Sequence, residues 1–550
     1  MPKKKPLPIG VSDYKELNEY YSVDKTEMIA DVIDDKMKVY LFCRPRRFGK
    51  TLNMTMLRTF FEKTSEDTSH YFTDKKIWQM GEEYTAEQGK YPVIWLSFKD
   101  IKSKTFAAAM EAIYMLISNE FKRFSPIRET LDEMDSEYFD NIVFGNASQP
   151  KFEASLKMLS KFLKDYYGVP AIIMIDEYDT ALQTAHTEKY YNDMIAFMRA
   201  FLGGAFKDNY NLKFGFLTGI TRVAKESVFS GLNNLMVDTI LDEQYSRYFG
   251  FTQSEINEMA KYYDAEDKIP EIKEWYDGYI FGKEEIYNPW SVINYFRNKC
   301  KPDCYWCNTS TNDILNELIS LASENAVDEL KALYEGETVE KIIEPHICYR
   351  DLAGDSDLMF SFLAISGYVK CVDAKLTQGK YCCNIKIPNN EIKYIYQDEI
   401  LELTKTKYTL GLVSDMLVSL LRGNLDKFAE LLKNFIMQTV SFYDASESFY
   451  HGLMLALCAV TTDFYKVSSN RESGLGRFDI CLSPKKLNLP GYIFELKYCD
   501  ENESLEEKAK EGLEQIEKKQ YITNLTADGV TDIRKMSVAF RGKEAQAIGY

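Results

Sequence analysis

The sequence predicts an α/β protein with a parallel sheet in its N-terminal part and a second α/β domain at its C-terminal end. Three observations support this prediction. Short apolar runs alternate with helical patterns over the first 220 residues. A basic turn containing Gly49-Lys50-Thr51 joins the first of these runs to a helix. Near the C-terminus, two strand patterns carry acidic residues on otherwise apolar segments.

Length and composition set the number of domains. The chain has 550 residues, of which 45% are hydrophobic, so several cores are expected. We predict an N-terminal domain at 1–245, a helical and winged-helix-like middle region at 246–435, and a C-terminal domain at 436–550. The net charge of −17 argues against general coating of nucleic acid and restricts such contacts to local basic patches.

The sequence also predicts a cytoplasmic protein without membrane association. Its start, Met1-Pro-Lys-Lys-Lys-Pro, is basic but is not followed by the apolar segment of a secretory signal. No run of about 18 apolar residues occurs. The eleven cysteines are scattered, which is typical of free thiols in a reducing compartment.

Four short apolar runs form the predicted N-terminal sheet: Val39–Cys43, Val93–Phe98, Ala171–Ile175 and Phe214–Leu217. Helical patterns near 103–122, 151–167 and 188–203 separate the later runs. Strands that alternate with helices indicate a parallel sheet, whose carboxyl ends meet at one edge.

The segment from Arg44 to Thr51 predicts a phosphate-binding loop. Its Gly49-Lys50-Thr51 matches the end of the pattern G-x-x-x-x-G-K-[ST], but Arg44 replaces the first glycine. In such a loop the backbone of Arg47, Phe48 and Gly49 surrounds phosphate, Lys50 contacts the β and γ phosphates, and the Thr51 hydroxyl binds Mg²⁺. The alternative is a basic turn between a strand and a helix.

Acidic residues at the end of the third predicted strand strengthen the phosphate-site prediction. Asp176 is placed to hold Mg²⁺ through water, and Glu177 to orient and deprotonate an attacking water. At the end of the next strand, Thr218 is placed to sense the γ-phosphate and Arg222 to stabilise transition-state charge. A structural or surface ion pair is an equally good explanation of Arg222.

Together these motifs resemble the bacterial AAA-ATPase-like family over roughly the first 300 residues. The resemblance is carried by Arg44-Pro-Arg-Arg-Phe-Gly-Lys-Thr51, Ile175-Asp-Glu-Tyr-Asp179, Leu217-Thr-Gly-Ile-Thr-Arg222, Trp275-Tyr-Asp-Gly-Tyr279 and Tyr287-Asn-Pro-Trp290. It implies a P-loop ATPase with a catalytic acid beside the Mg²⁺-binding aspartate. In that family the arginine-rich loop without the first glycine is the usual form.

The middle region is predicted to contain helices and a hairpin. Helical patterns occur at 252–265, 290–298, 311–334 and 396–437, and a helix with a hairpin at 360–388. Cys300, Cys304 and Cys307 have the spacing of an iron–sulfur site, or of three zinc ligands with His346 or Cys348 as a fourth. Both metal sites are set aside, because the motif lies far from any strand that would open a βα barrel and an ATPase is better supported in the N-terminal half.

The C-terminal domain is predicted to contain a helix at 449–459, strands at 464–467, 477–482 and 491–498, and a helix at 503–519. Glu495 and Lys497 alternate with apolar residues, so both side chains lie on one face of their strand. With Asp479 on the neighbouring strand, Glu495 would ligate Mg²⁺ or Mn²⁺, and Lys497 would position water or stabilise charge. The alternative is an exposed hairpin face with mixed charges.

This arrangement resembles the PD-(D/E)XK nuclease superfamily over about the last 110 residues, and implies a metal-dependent nuclease. Gln515 and Tyr521 match the helix that follows the Glu-x-Lys strand in that superfamily. By the same match Glu447 is a candidate third acid, although a helix-start residue is the better interpretation. His451 is interpreted as structural.

The functional prediction is ATP hydrolysis coupled to cleavage of DNA or RNA, in defence or mobile-element biology, with ATP, Mg²⁺ and at the nuclease site Mn²⁺ as cofactors. One alternative is a nucleotide-switched module that binds nucleic acid without cutting it. Another is an ATPase whose partner is a protein, including a second copy of the chain. A fragment beginning near residue 435 is expected to fold alone.

Overall fold

The computed structural model describes residues 4–222, 229, 232, 234–306, 324–345, 347, 356–378, 380–396, 412–416, 418–439, 447–459, 461–462, 464–486, 489–500 and 503–550. The chain separates into two compact units, Met1–Leu403 and Thr404–Tyr550. No helix in these described ranges has both the length and the apolar character needed to cross a membrane.

A five-stranded sheet forms the centre of the first unit. Its strands are β1 (Val39–Cys43), β2 (Val93–Ser97), β3 (Ala171–Asp176), β4 (Leu212–Gly219) and β5 (Leu235–Asp238). They lie in the order β2-β3-β4-β1-β5, and all neighbours are parallel. The four predicted strands are confirmed, and β5 was missed. Because parallel strands end at the same edge, the loops after β1, β3 and β4 lie close together.

Helices cover both faces of this sheet, which explains why β1 and β3 are buried along their whole length. Apolar faces on these helices supply the remaining core. The helical segments, including short 3-10 turns, are Tyr14–Glu19, Glu27–Asp35, Lys50–Phe61, Ser69–Tyr71, Lys76–Gln79, Glu82–Thr85, Phe106–Arg123, Ser125–Thr130, Glu133–Val143, Gln149–Glu153, Ser155–Tyr167, Thr180–Thr187, Tyr191–Phe206 and Ser246–Tyr248.

The rest of the first unit is helical with two small sheets. A hairpin, β6 (Tyr279–Phe281) and β7 (Glu284–Ile286), precedes an antiparallel sheet in the order β8-β10-β9. Its strands are β8 (Val339–Ile343), β9 (Lys370–Thr377) and β10 (Lys380–Lys386). The helices are Gln253–Tyr262, Glu266–Lys268, Ile269–Tyr276, Pro289–Arg297, Glu324–Glu335, Ser356–Ser366 and Asn390–Ile395.

The predicted hairpin near 367–387 is therefore confirmed, whereas the winged-helix-like character of the middle region stays a prediction. Parts of two predicted helices, residues 311–323 and 397–411, lie outside the described residues.

The second unit is built on a mixed sheet. Its strands, β11 (Tyr465–Ser473), β12 (Gly476–Pro484), β13 (Gly491–Tyr498), β14 (Ile533–Arg541) and β15 (Glu544–Gly549), follow each other in sequence order. Only the β13–β14 pair is parallel. The helices of the second unit include Leu425–Thr439, Glu447–Ala459, Leu505–Lys519 and Thr523–Ala527.

Helix Leu425–Thr439 belongs to the core of the second unit, which bears on where a fragment should begin. Its Phe428, Leu432 and Ile436 are buried with Tyr492 of β13 in one apolar cluster. The predicted boundaries at 245 and 435 stay predictions, and a start at 435 would remove most of this helix.

We expect a fragment of residues 404–550 to unfold cooperatively and a fragment of 440–550 to lose cooperative unfolding. Exposing each buried apolar side chain costs about 1.5–3 kcal/mol, and three such losses are comparable to the whole stability of a small domain. Thermal unfolding followed by near-UV circular dichroism checks this. A cooperative transition in the shorter fragment would show that the helix is dispensable.

Candidate functional site

The loop after β1 has the geometry of a phosphate-binding loop. Arg47 (φ +69°) and Gly49 (φ +80°) both have left-handed backbone conformations, and helix Lys50–Phe61 begins directly after Gly49. Alternating conformations of this kind turn successive N–H groups into one concavity, and the helix dipole favours an anion there.

Lys50 lies inside this loop. Its buried Nζ donates to the carbonyl oxygens of Arg44 and Pro45, each at 2.9 Å. Burial lowers the pKa of Lys50, and the nearby carboxylates of Glu177 and Asp179 act in the opposite direction. These loop carbonyls are weaker partners for an ammonium group than phosphate oxygens, so the residues fit a phosphate ligand.

The acidic end of β3 meets the loop. Asp176 Oδ2 accepts a hydrogen bond from Thr51 Oγ1 at 2.9 Å, and Asp176 Oδ1 accepts one from Thr218 Oγ1 at 2.6 Å. Burial raises the pKa of Asp176, while these two hydroxyls lower it. The structure thus brings together Thr51 and Asp176, whose oxygens could hold a Mg²⁺ ion, and Thr218, which contacts the same carboxylate.

Glu177 adopts a conformation that is rare for its residue type, with φ at +51°. Its N–H donates to Thr218 Oγ1 at 3.0 Å, and its side chain is partly exposed. Non-glycine residues held in the left-handed region are found at functional sites, where the surrounding structure fixes them.

Asp179 is a site residue whose role the sequence did not reveal. It is buried, and its Oδ2 accepts hydrogen bonds from the N–H groups of Ile220 at 2.7 Å and Thr221 at 3.2 Å. A Cβ at Gly219 would lie 2.9 Å from Asp179 Oδ1, so this position requires glycine. Asp179 therefore fixes the end of β4 beside the end of β3. The glycine at position 219 is the sequence feature that could have indicated this close contact.

Arg44, at the position of the missing first glycine, is fully buried and forms an ion pair with Asp238 at the end of β5. Its guanidinium also lies over the rings of Phe249 and Phe281, at 4.9 and 5.2 Å from their centroids. Burial raises the pKa of Asp238 to about 6, and the Arg44 guanidinium opposes this shift. Arg44 is thus part of the core, and the sequence missed its partner because β5 was not predicted.

Phe48 belongs to the phosphate loop, whereas Arg222 lies beyond the end of β4. The Phe48 ring is buried against Tyr279 and Phe281, which leaves only its backbone to face a ligand. Arg222 is partly buried three residues beyond the end of β4, and residues 223–228 lie outside the described part of the chain. The roles predicted for both stay predictions.

A second cluster of polar side chains lies on β12 and β13. The register that pairs Ile480 with Phe494 places Asp479 opposite Glu495. Asp479 Oδ2 accepts a hydrogen bond from the N–H of Leu496 at 2.7 Å. Burial raises the pKa of Asp479.

Lys497 and Gln515 hold one oxygen of Glu495. Glu495 Oε1 accepts hydrogen bonds from Lys497 Nζ at 2.9 Å and from Gln515 Nε2 at 2.5 Å. Lys497 Nζ also donates to Gln515 Oε1 at 2.7 Å, and Gln515 Nε2 to the hydroxyl of Tyr521 at 3.1 Å. The structure thus brings Glu495, Lys497 and Gln515 into one hydrogen-bonded network.

The other oxygen of Glu495 indicates what this cluster lacks. Oε2 is buried without a hydrogen-bond partner among the described residues. Burial and the Asp479 carboxylate raise the pKa of Glu495 to about 7, against the opposing effect of Lys497. A divalent cation would bind this oxygen and reduce the repulsion between the two carboxylates, so the residues fit a metal ion.

Protein ligands alone would not complete such a site. No group of three or more His, Cys, Asp or Glu side chains suited to a metal ion occurs within the described ranges. Water or substrate oxygens would therefore fill the remaining positions around Asp479 and Glu495. Of the predicted cysteine site, Cys307, His346 and Cys348 lie outside those ranges.

Two further residues lie within electrostatic reach of Asp479. His451 lowers the pKa of Asp479, and Glu447, exposed at the start of helix Glu447–Ala459, raises it. The His451 Nε2 is 3.1 Å from Ser469 Oγ and 3.4 Å from Asn470 Nδ2. The structural role predicted for His451 and the helix-start role predicted for Glu447 stay predictions.

Comparisons with known proteins identify the families of two domains. Residues 8–229 match the family model described as "Predicted AAA-ATPase", and residues 445–549 match that of the PD-(D/E)XK nuclease superfamily. An "Uncharacterized protein in vnfD 5'region" of Azotobacter chroococcum mcd 1 is 26% identical over 331 residues. That match covers 58% of this chain and 56% of the relative's length. The chain therefore contains an AAA-ATPase-like domain at 8–229 and a PD-(D/E)XK nuclease superfamily domain at 445–549.

Proposed function

We propose that the protein hydrolyses ATP at the loop after β1 and cleaves nucleic acid at the Asp479–Glu495 cluster, with ATP turnover regulating or driving the cleavage. Domains of these two families generally use ATP and divalent metal ions. The observation that carries the proposal is the buried Glu495 oxygen without a partner, beside a lysine already fixed by Gln515. A defence or mobile-element setting remains part of the proposal.

In the ATPase step, Lys50 exchanges its two loop carbonyls for the β and γ phosphates. Thr51 and Asp176 would hold Mg²⁺, which neutralises phosphate charge when bound. Glu177 orients the attacking water and accepts its proton, and Thr218 fixes the Glu177 backbone. Arg222 is proposed to stabilise charge on the transferred group.

In the cleavage step, Asp479 and Glu495 would hold Mg²⁺ or Mn²⁺, which activates water and stabilises phosphate charge. Lys497 donates to the water or to the developing charge, because its Nζ is fixed at 2.9 Å from Glu495 Oε1. Gln515 holds Lys497 in this position.

A second candidate is a nucleotide-switched module that binds nucleic acid or protein without cutting. The net charge of −17 favours the protein-binding form of this candidate, because it restricts nucleic-acid contact to local patches. The homo-oligomer and the cytoplasmic location also remain proposals.

The test is incubation of the purified protein with single- and double-stranded DNA and RNA, with and without ATP, Mg²⁺ and Mn²⁺. We expect metal-dependent cleavage of one of these substrates. Tight metal binding by the wild-type protein without cleavage of any substrate would favour the second candidate.

Binding of the divalent ion at Glu495 is expected to depend on pH. Since the pKa of Glu495 is about 7, the apparent affinity should fall roughly tenfold for each unit below pH 7. Without metal, folding stability changes with pH in the opposite direction to metal affinity. The raised pKa of Glu495 stabilises the folded state below about pH 4.5, and this contribution is lost as the pH rises through 7. Calorimetric Mn²⁺ titrations between pH 5.5 and 8 check the affinity, and a flat profile would contradict a metal ligand at Glu495.

A further inference from the structure

Four consecutive residues of the phosphate loop contact the middle region of the first unit. A Cβ at Gly367 would lie 3.2 Å from Pro45, and Trp306 Nε1 donates to the carbonyl of Arg46 at 3.4 Å. Phe48 packs against Tyr279 and Phe281. Arg47 lies over the ring of Trp290, with its guanidinium carbon 4.3 Å from the ring centroid. The middle region therefore forms one wall of the nucleotide site.

Trp290 is held rigidly in this wall. Asn288 caps the helix Pro289–Arg297 through its side-chain oxygen, which accepts from the N–H of Trp290 at 3.0 Å. Pro289 occupies the first turn of that helix, where its fixed φ is favourable. The indole Nε1 donates to the carbonyl of Tyr305 at 3.0 Å. These contacts fix the ring at one end and leave its face for Arg47.

Arg47 is placed to act on the nucleotide. It is exposed, it precedes Lys50 by three residues, and its backbone is left-handed within the phosphate loop. Partial burial of the guanidinium lowers the pKa of Arg47, and the Glu177 carboxylate opposes this shift. Stacking on an aromatic face leaves the N–H donors at the edge of a guanidinium available for phosphate.

We propose that Trp290 is a positioning residue of the ATPase site, which holds Arg47 where its guanidinium contacts the γ-phosphate during hydrolysis. This inference rests on the proposed ATPase function and deepens it. It implies that the middle region supplies part of the ATPase site. It also gives Arg47 a side-chain role, in addition to the backbone role predicted for the loop.

The test compares Trp290→Ala, Trp290→Phe and Arg47→Ala in the full chain by ATP turnover and by calorimetric ADP and ATP binding. We expect Trp290→Ala to lower kcat roughly 3- to 30-fold, the range of a partly desolvated cation–π contact. ADP affinity should change less than twofold. Trp290→Phe should retain most of the activity, because it keeps an aromatic face. In the Arg47→Ala background, Trp290→Ala should have no further effect.

Trp275→Ala is the matched control. Trp275 also belongs to the middle region, but it stacks on Tyr394 at 5.5 Å and not on the phosphate loop. We expect this variant to keep the wild-type kcat. An additive loss in the Trp290→Ala, Arg47→Ala double variant would overturn the inference, as would an unchanged or increased kcat in Trp290→Ala. If the wild-type protein neither binds nor hydrolyses ATP, the proposed function fails as well, so the two failures are distinguishable.

Discussion

Replacement of Glu177 by Gln is expected to stop ATP turnover while ATP still binds. Glutamine preserves the shape of the side chain but cannot accept the proton of the attacking water. Loss of a positioned general base lowers rates by roughly 10²- to 10⁴-fold. The backbone should tolerate the change, because the N–H of residue 177 still donates to Thr218 Oγ1. Steady-state ATPase assays beside calorimetric ATP titrations measure both quantities.

Two other variants serve as comparisons for Glu177→Gln. Lys50→Ala should weaken ATP binding itself, because the cation inside the loop is lost. Glu188→Gln, an exposed glutamate just beyond the following helix, should behave as wild type. Wild-type turnover by Glu177→Gln would show that another residue activates the water.

Replacement of Asp479 or Glu495 by Ala is expected to abolish both divalent-ion binding and cleavage. The two carboxylates face each other on adjacent strands, and each would supply a ligand oxygen. Lys497→Ala should leave ion binding measurable while cleavage falls by about 10²-fold or more, the scale of losing one electrostatic stabiliser. Calorimetric metal titration beside a cleavage assay separates binding from chemistry.

Exposed residues of the same unit provide controls for these variants. Asp528→Ala and Lys510→Ala change the same residue types on the surface, and should leave binding and cleavage unchanged. Basal ATP turnover should stay unchanged in the Asp479 and Glu495 variants unless the two modules are coupled. Undiminished cleavage by Asp479→Ala would refute the nuclease site.

Local patterns in the sequence were sufficient to predict most elements that carry the two sites. β1 and β3 are short and fully buried, so they read as continuous apolar runs that end in polar residues. Alternation along β13 predicted that Glu495 and Lys497 share a face, and their hydrogen bond at 2.9 Å agrees. Such features depend only on neighbours along the chain.

The features that were missed depend on contacts between distant parts of the chain. β5 is short and only partly buried before Asp238, so its apolar signal is weak, and its ion pair with Arg44 spans 194 residues. β14 and β15 complete the second sheet, and they were not predicted from the sequence because neither strand carries a residue of a candidate site. The unpartnered oxygen of Glu495 is determined by packing in three dimensions, which residue spacing does not reveal.

The strand order of the first sheet has a consequence for synthesis of the chain. β1 lies between β4 and β5, which end at Gly219 and Asp238. A ribosome must therefore make 176 more residues, from Cys43 to Gly219, before the strand that leads into the phosphate loop has its first complete neighbour. Until then Val39–Cys43 is an apolar segment with unpaired backbone groups, which favours aggregation or binding by a chaperone. A nascent chain that stops before Leu212 is expected to bind no nucleotide, even though it already contains Lys50, Asp176 and Glu177.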